Sequence, residues 1–285
     1  MLDYEKILNW QFAPVIQSYT KKDCILYALA LGFGNNPTDS NELQYVYERN
    51  LLTFPTMAVA LGHPGAWLSS PESGIDMTKV LHGAQSLEVF NPLPVEATII
   101  AHTKVLDVID KGVEKGAVLV TERKLYDQAS NEHYCTQQAI IMARGNGGFG
   151  GSAAKVPAPH VLPERKPDTV IEIETSPQAA LLSRLSGHYN PLHVDLELAE
   201  KLGFTAPILH GLASYGVAAR AVLLACEING ADRLKSFELR FTSPVYPGET
   251  ICTEIWKDND VVSFRSKVKE RDVVVLNNGE AVLKV

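Results

Sequence analysis

Cysteine is scarce in this chain of 285 residues, with four at positions 24, 135, 226 and 252. No two lie close enough in sequence to form a zinc or redox motif, so all four are expected to be reduced and packed. Positive charge is also in deficit. Lys and Arg number 26 against 33 Asp and Glu, a net charge of −7. That balance excludes a general nucleic-acid binder, although a polyanionic small ligand needs only a local basic patch. No apolar run is long enough to span a membrane, so no membrane partner is expected. The first twenty residues lack an apolar core flanked by positive charge, and the final AVLKV carries no SKL-type peroxisomal signal. A cytoplasmic location is therefore expected ahead of a peroxisomal one.

What is present is ample core material: 46% of residues are hydrophobic. The two halves of the chain also resemble each other. Asn36–Pro37 and Asn190–Pro191 lie 154 residues apart. Pro55 and Pro207, Pro92 and Pro244, and Thr98–Ile99 and Thr250–Ile251 are each 152 apart. Four matches in the same order point to duplication of a unit of roughly 130–150 residues.

Each half reads as a helical stretch followed by long strands. Strands are expected near 84–90, 96–110, 116–127 and 132–144, and again near 236–242, 249–258, 261–270 and 272–284. Short turns join them, including KDND and LNNGE, which makes an antiparallel meander. Before the second meander, PILHGLASYGVAARAVLLACEING is apolar nearly all round, the pattern of a helix buried on most sides. Its first-half counterpart, MAVALGHPGAWLSS, is broken by Pro64 and Gly65 and should be truncated or irregular. A Gly- and Pro-rich linker at 146–168 separates a first domain, 1–145, from a second, 169–285. A sheet wrapped around one buried helix is the hot-dog arrangement. The expected class is α+β, a double hot-dog of antiparallel sheets, each around a central helix.

Two tempting motifs fail on context. Gly145, Gly147 and Gly150 match G-x-G-x-x-G, but SAAKVPAP follows where a dinucleotide fold needs a helix, so no NAD is expected. His188 and His193 are five apart, not the three or four of a helical metal pair, and the available third ligand, His210, opens an apolar helix. No metal is expected. The chemistry instead concentrates in Ser186-Gly187-His188-Tyr189-Asn190-Pro191, a loop whose polar groups crowd a tight turn with His193 just beyond.

These residues resemble the hydratase 2 motif of the MaoC-like family, Y-R-L-S-G-D-x-N-P-L-H-x-D, represented in the hydratase domain of peroxisomal multifunctional enzyme type 2. Here the stretch reads S-R-L-S-G-H-Y-N-P-L-H-V-D and leads into GFTAPILHGL. YALALGFG, VLHGAQSLEVFNPLP, RGNGGFGG and RFTSPVYPGE extend the similarity along the chain. The resemblance implies a double hot-dog enzyme that adds water to trans-2-enoyl-CoA, giving (R)-3-hydroxyacyl-CoA, with coenzyme A as part of the substrate and no separate cofactor. It implies that the degenerate first half makes room for a bulky acyl group: a medium, long or branched fatty chain, or a steroid side chain. It assigns His193 as the catalytic histidine, Asn190 as loop support and Gly211 as the backbone donor to the thioester oxygen. Ser186, Gly187, Tyr189, His210 and Leu212 would contact substrate. Arg144, Lys155 and Arg184 are candidates for the coenzyme A phosphates by position. The two halves would pair with each other, in a monomer or in a homodimer of the whole chain.

The family's catalytic Asp position is held by His188. Aspartate is anionic at neutral pH and an imidazole is not. His188 is therefore either a working base, the mark of an impaired hydratase, or part of a site turned to acyl-CoA binding. Asp195 is expected to begin or cap a helix over 196–202 and not to replace the missing carboxylate. A thioesterase would commonly carry a carboxylate on its central helix, and 208–225 has none.

Overall fold

The computed structural model describes residues 2–152, 156–227 and 231–284. The first half contributes strands β1 (Val15–Tyr19), β2 (Val80–Val89), β3 (Ala97–Asp110), β4 (Ala117–Asp127) and β5 (His133–Ala143). The second contributes β6 (Thr169–Glu174), β7 (Leu234–Phe241), β8 (Thr250–Asp258), β9 (Val261–Val268) and β10 (Val273–Leu283). All ten form one sheet in the order β1-β3-β4-β5-β2-β7-β10-β9-β8-β6. The order is the same when each half is read from its outer edge inward, so the duplication seen in sequence is a pseudo-twofold in the sheet. The halves join at β2 and β7, antiparallel from Ala84 opposite Arg240 to Glu88 opposite Ser236. That pairing leaves neither inner edge free to template another chain.

The main strands fall where alternation and turn residues put them. β1 and β6 are additional, and they form the outer edges. The LNNGE stretch is a correction: it lies inside β10, not at a turn. Its register slips between Leu276 and Gly279 against β9, and Asn278 adopts φ +55°. A bulge absorbs the turn-forming residues without reversing the strand. Gly279 is required there, because a Cβ would lie 2.4 Å from the Phe264 ring.

Among the described residues six α-helices accompany the sheet: α1 (Tyr4–Leu8), α2 (Lys21–Ala30), α3 (Ser40–Leu43), α4 (Ala179–Arg184), α5 (Leu196–Lys201) and α6 (Gly211–Ala225). α6 is the buried central helix. Its small residues allow neighbours in closely, and Gly216 meets Leu31 so tightly that a Cβ would lie 2.7 Å from that side chain. Tyr215, fully buried, satisfies its hydroxyl by donating to the Phe237 carbonyl at 2.7 Å. The first-half counterpart is a short 3-10 helix, Pro55–Ala60, ended by Gly62 at φ +63° and by Pro64. Arg123 on β4 bonds the carbonyls that this ending exposes, Leu61 at 3.0 Å and Val59 at 3.4 Å, and also Gln137 Oε1 at 2.9 Å.

Arg220 on α6 ties the halves together. Its guanidinium pairs with Glu42 on α3, donates to the Leu31 carbonyl at 3.0 Å and lies 4.8 Å from the Phe33 ring centroid. Both charged side chains are buried. The Gly145–Gly150 stretch is a loop: the Asp110 carboxylate accepts from the amides of Gly112, Gly148 and Gly150. Among the described residues no helix is long and apolar enough to cross a membrane.

Candidate active site

The chain leaves α4, passes through the loop 185–190 and enters a 3-10 turn, Pro191–His193. Pro191 forces Asn190 out of the helical region, to φ −56° and ψ 123°. In that conformation Asn190 Oδ1 accepts from Leu192 N at 3.0 Å and caps the turn. The Asn190 carbonyl accepts from Arg184 at 2.8 Å. Asp195 caps α5 by accepting from Leu198 N at 3.1 Å, so its carboxylate is used structurally.

Two histidines have their tautomers set by backbone carbonyls, which can only accept. His193 Nδ1 lies 2.8 Å from the Ile208 carbonyl, so Nδ1 carries the proton and Nε2 keeps a lone pair. His210 Nε2 lies 3.0 Å from the His188 carbonyl, so its proton is on Nε2. The His193 and His210 rings stack with centroids 3.6 Å apart. His188 lies 6.2 Å from His210 by the same measure. Neither ring nitrogen of His188 is bonded by another described residue, and Nε2 is buried. Ser186 Oγ, His210 Nδ1 and His82 Nε2 are likewise buried without a partner. Buried polar atoms left unbonded are costly, and such a concentration at one place marks where a polar ligand group would be held.

Burial depresses the basicity of the whole cluster. His188 falls to about 3, first through desolvation and then through His63, His210, Arg123 and His193 nearby. His210 falls to about 3, and His82 to about 4, both mainly by burial. His193 is lowered by burial against the opposing bond to Ile208. At neutral pH these four imidazoles are uncharged. Burial also lowers Arg123, to about 10, which leaves it cationic. Among the described residues no group of three His, Cys, Asp or Glu is arranged to hold a metal ion.

The structure brings Ser186, His188, Asn190, His193 and His210 together at the start of α6. Gly211 and Leu212 open that helix, and their N–H groups belong to its first turn, where no intrahelical acceptor exists. Gly211 lies beneath the Phe241 ring, which would be 3.3 Å from any Cβ. Gly187 adopts φ +100°, which turns the loop. Tyr189 is 66% exposed, with Arg184 5.8 Å from its ring centroid. Arg144 is not in the cluster. It is exposed at the end of β5, where its N–H donates to the Lys79 carbonyl at 3.1 Å. Lys155 lies outside the described residues.

Sequence reasoning missed His63, His82, Arg123 and Phe241. His63, on the loop after the first-half 3-10 helix, meets His188 edge to face at 5.8 Å. His82 on β2 packs against Phe241 on β7 at 4.8 Å. His63, His82 and Arg123 come from the first half; His82 and Phe241 lie within the VLHGAQSLEVFNPLP and RFTSPVYPGE stretches, but no spacing in the chain shows that they meet.

Comparison with known proteins bears on this arrangement. Residues 17–145 match the family described as MFE-2 hydratase 2 N-terminal domain, and residues 160–279 match the MaoC like domain. The chain is 38% identical to a probable enoyl-CoA hydratase 2 of Dictyostelium discoideum, over 99% of this chain and 97% of that one. It is also 38% identical to the peroxisomal multifunctional enzyme type 2 of Mus musculus over 92% of this chain, but spans only 36% of that longer protein. Among solved structures, a MaoC-like dehydratase from Phytophthora capsici superposes with a TM-score of 0.87 at 35% identity, covering 99% of this chain and 98% of the other. A Mycobacterium tuberculosis protein of double hotdog fold superposes at 0.56 with 16% identity, covering 99% of each chain, a likeness of fold alone.

Proposed function

Because the chain belongs to the MaoC-like hydratase 2 family, an enzyme family of hydro-lyases, we propose that it reversibly hydrates trans-2-enoyl-CoA to (R)-3-hydroxyacyl-CoA. The observation that carries this reading is the free lone pair of His193 Nε2, fixed by the Ile208 bond, beside the first turn of α6.

Water must lose a proton as its oxygen bonds to Cβ. His193 Nε2 takes that proton, since burial keeps the ring neutral and its tautomer presents the acceptor. As the Cβ–O bond forms, the alkene electron pair moves toward the thioester and negative charge grows on its oxygen. The Gly211 N–H meets that charge, and the helix N-terminus adds a favourable dipole. The imidazolium of His193 then returns its proton to Cα, which completes addition of one water. His188 stands where the family carries Asp, and as a neutral imidazole it holds the water without supplying charge. The truncated first-half helix supports an acyl group longer than four carbons.

The test follows loss of the enoyl-thioester absorbance with trans-2-enoyl-CoA substrates of increasing size, using this chain and its His188→Asp variant. Turnover by the unmodified chain equal to or above that of the variant supports His188 as a working group. Activity in the Asp variant alone identifies a hydratase impaired at this position. No turnover by either protein on any substrate refutes hydration and favours acyl-CoA binding.

A further inference from the structure

Resting on the hydratase reading, we propose that His63, from the first half, is the positioning residue for His188: no hydrogen bond joins the two rings in this structure, and a small closure of their 5.8 Å edge-to-face contact lets the His63 Nε2–H donate to the unpartnered His188 Nε2 and fix the tautomer with which His188 holds the reacting water. The site would then be completed across the junction of the halves.

His63 is well prepared for this task. The Gly65 N–H donates to its Nδ1 at 3.1 Å, so the neutral ring carries its proton on Nε2 and is a donor at that atom. Its loop is pinned on both sides of the preceding turn. The Gly62 N–H donates to Gln17 Oε1 at 2.7 Å, and Arg123 donates to the Leu61 carbonyl at 3.0 Å. Gly62 sits so close to β3 that a Cβ would be 2.3 Å from the Ala101 Cβ. The loop therefore holds its imidazole at a defined place, exposed at the mouth of the cluster, with its ring perpendicular to that of His188.

His188 needs such a partner. His193 and His210 each have a tautomer set by a carbonyl, whereas the nitrogens of His188 have none, and its buried Nε2 is an unsatisfied atom. An aspartate here would be an acceptor at both oxygens and would need no such setting. An imidazole has one donor and one acceptor, and it orients water only if they are assigned. Donation from His63 to Nε2 leaves the His188 proton on Nδ1, where it can donate to the water oxygen while His193 accepts the water proton. The other ring and guanidinium donors near His188 are already used: His210 spends its Nε2–H on the His188 carbonyl, His193 its Nδ1–H on the Ile208 carbonyl, and Arg123 bonds Val59, Leu61 and Gln137.

Long-range proton–nitrogen correlation on histidine-¹⁵N-labelled protein reads the His188 tautomer directly. The expected result is a single Nδ1–H form in the unmodified chain, averaging of both forms in His63→Ala, and restoration in His63→Gln, whose amide can donate. In turnover, His63→Ala should lower kcat about tenfold with little change in KM, the scale of one lost hydrogen bond. That loss should fall below about twofold in the His188→Asp background, since the two residues act as one unit. A His188 tautomer indifferent to His63→Ala overturns the proposal whether or not the chain turns over enoyl-CoA. Equal losses of kcat in both backgrounds also overturn it, because the role would then be structural. If the tautomer depends on His63 but no substrate is hydrated, positioning stands and the hydratase reading falls.

Discussion

Acidification from pH 8 to pH 5 should remove a large share of this protein's stability through its sealed imidazoles. His82, His188 and His210 titrate in the folded protein near 4, 3 and 3, against about 6.5 when unfolded. Between those values the unfolded chain binds protons that the folded chain refuses. Their contribution is therefore fully present above pH 6.5 and is lost as the pH falls toward 4 and then 3. From 6.5 to 5 is about 1.5 units at 1.36 kcal/mol each, or about 2 kcal/mol per histidine. Three such groups give about 6 kcal/mol, and partial solvent contact at His82 and His188 reduces the figure to about 3–6 kcal/mol. Typical total stabilities are about 5–15 kcal/mol, so the fold should be acid-labile near pH 5. The depressed carboxylates, such as Asp110, Asp127 and Asp168, act below their ordinary value of 3.8 and so outside this window. Urea unfolding followed by circular dichroism at pH 8, 7, 6 and 5 measures the effect. His82→Gln should flatten the slope below pH 6.5 by about a third. A change under about 1 kcal/mol between pH 8 and 5 would refute the claim that these rings are buried and neutral.

Arg220→Met should destabilise by about 3–5 kcal/mol, because it strands Glu42 in the interior. Adding Glu42→Leu should recover most of that loss, as read from paired denaturant midpoints. His193→Gln should lower kcat by about 10²–10⁴-fold while the thermal midpoint stays within a few degrees, since the change removes the proton acceptor and little packing. Asn190→Ala should cost about 1 kcal/mol through the lost cap and also reduce turnover by loosening His193. Asn190→Asp, which keeps the accepting oxygen, should retain the stability.

The sequence by itself determined much of this protein. Alternating apolar residues and short polar turns placed eight strands of the two meanders, because side-chain period and turn chemistry are local properties. The all-round apolar run at 208–225 announced the central helix, and Pro64 with Gly65 announced its failure in the first half. The loop 186–193 was legible because Pro191 dictates backbone shape at Asn190, and its resemblance to the hydratase 2 motif named the family. LNNGE misled because turn-forming residues also suit a bulge, and only pairing on both sides of β10 decides between them. Tertiary structure alone decided the surroundings of His188. His63 reaches it because the shortened 3-10 helix turns its exit toward the second half, and His82 meets Phe241 because β2 pairs with β7. The protonation states follow from the same fact. An imidazole's charge is set by the water it loses and the carbonyls it meets, and both are fixed only when distant segments close around it.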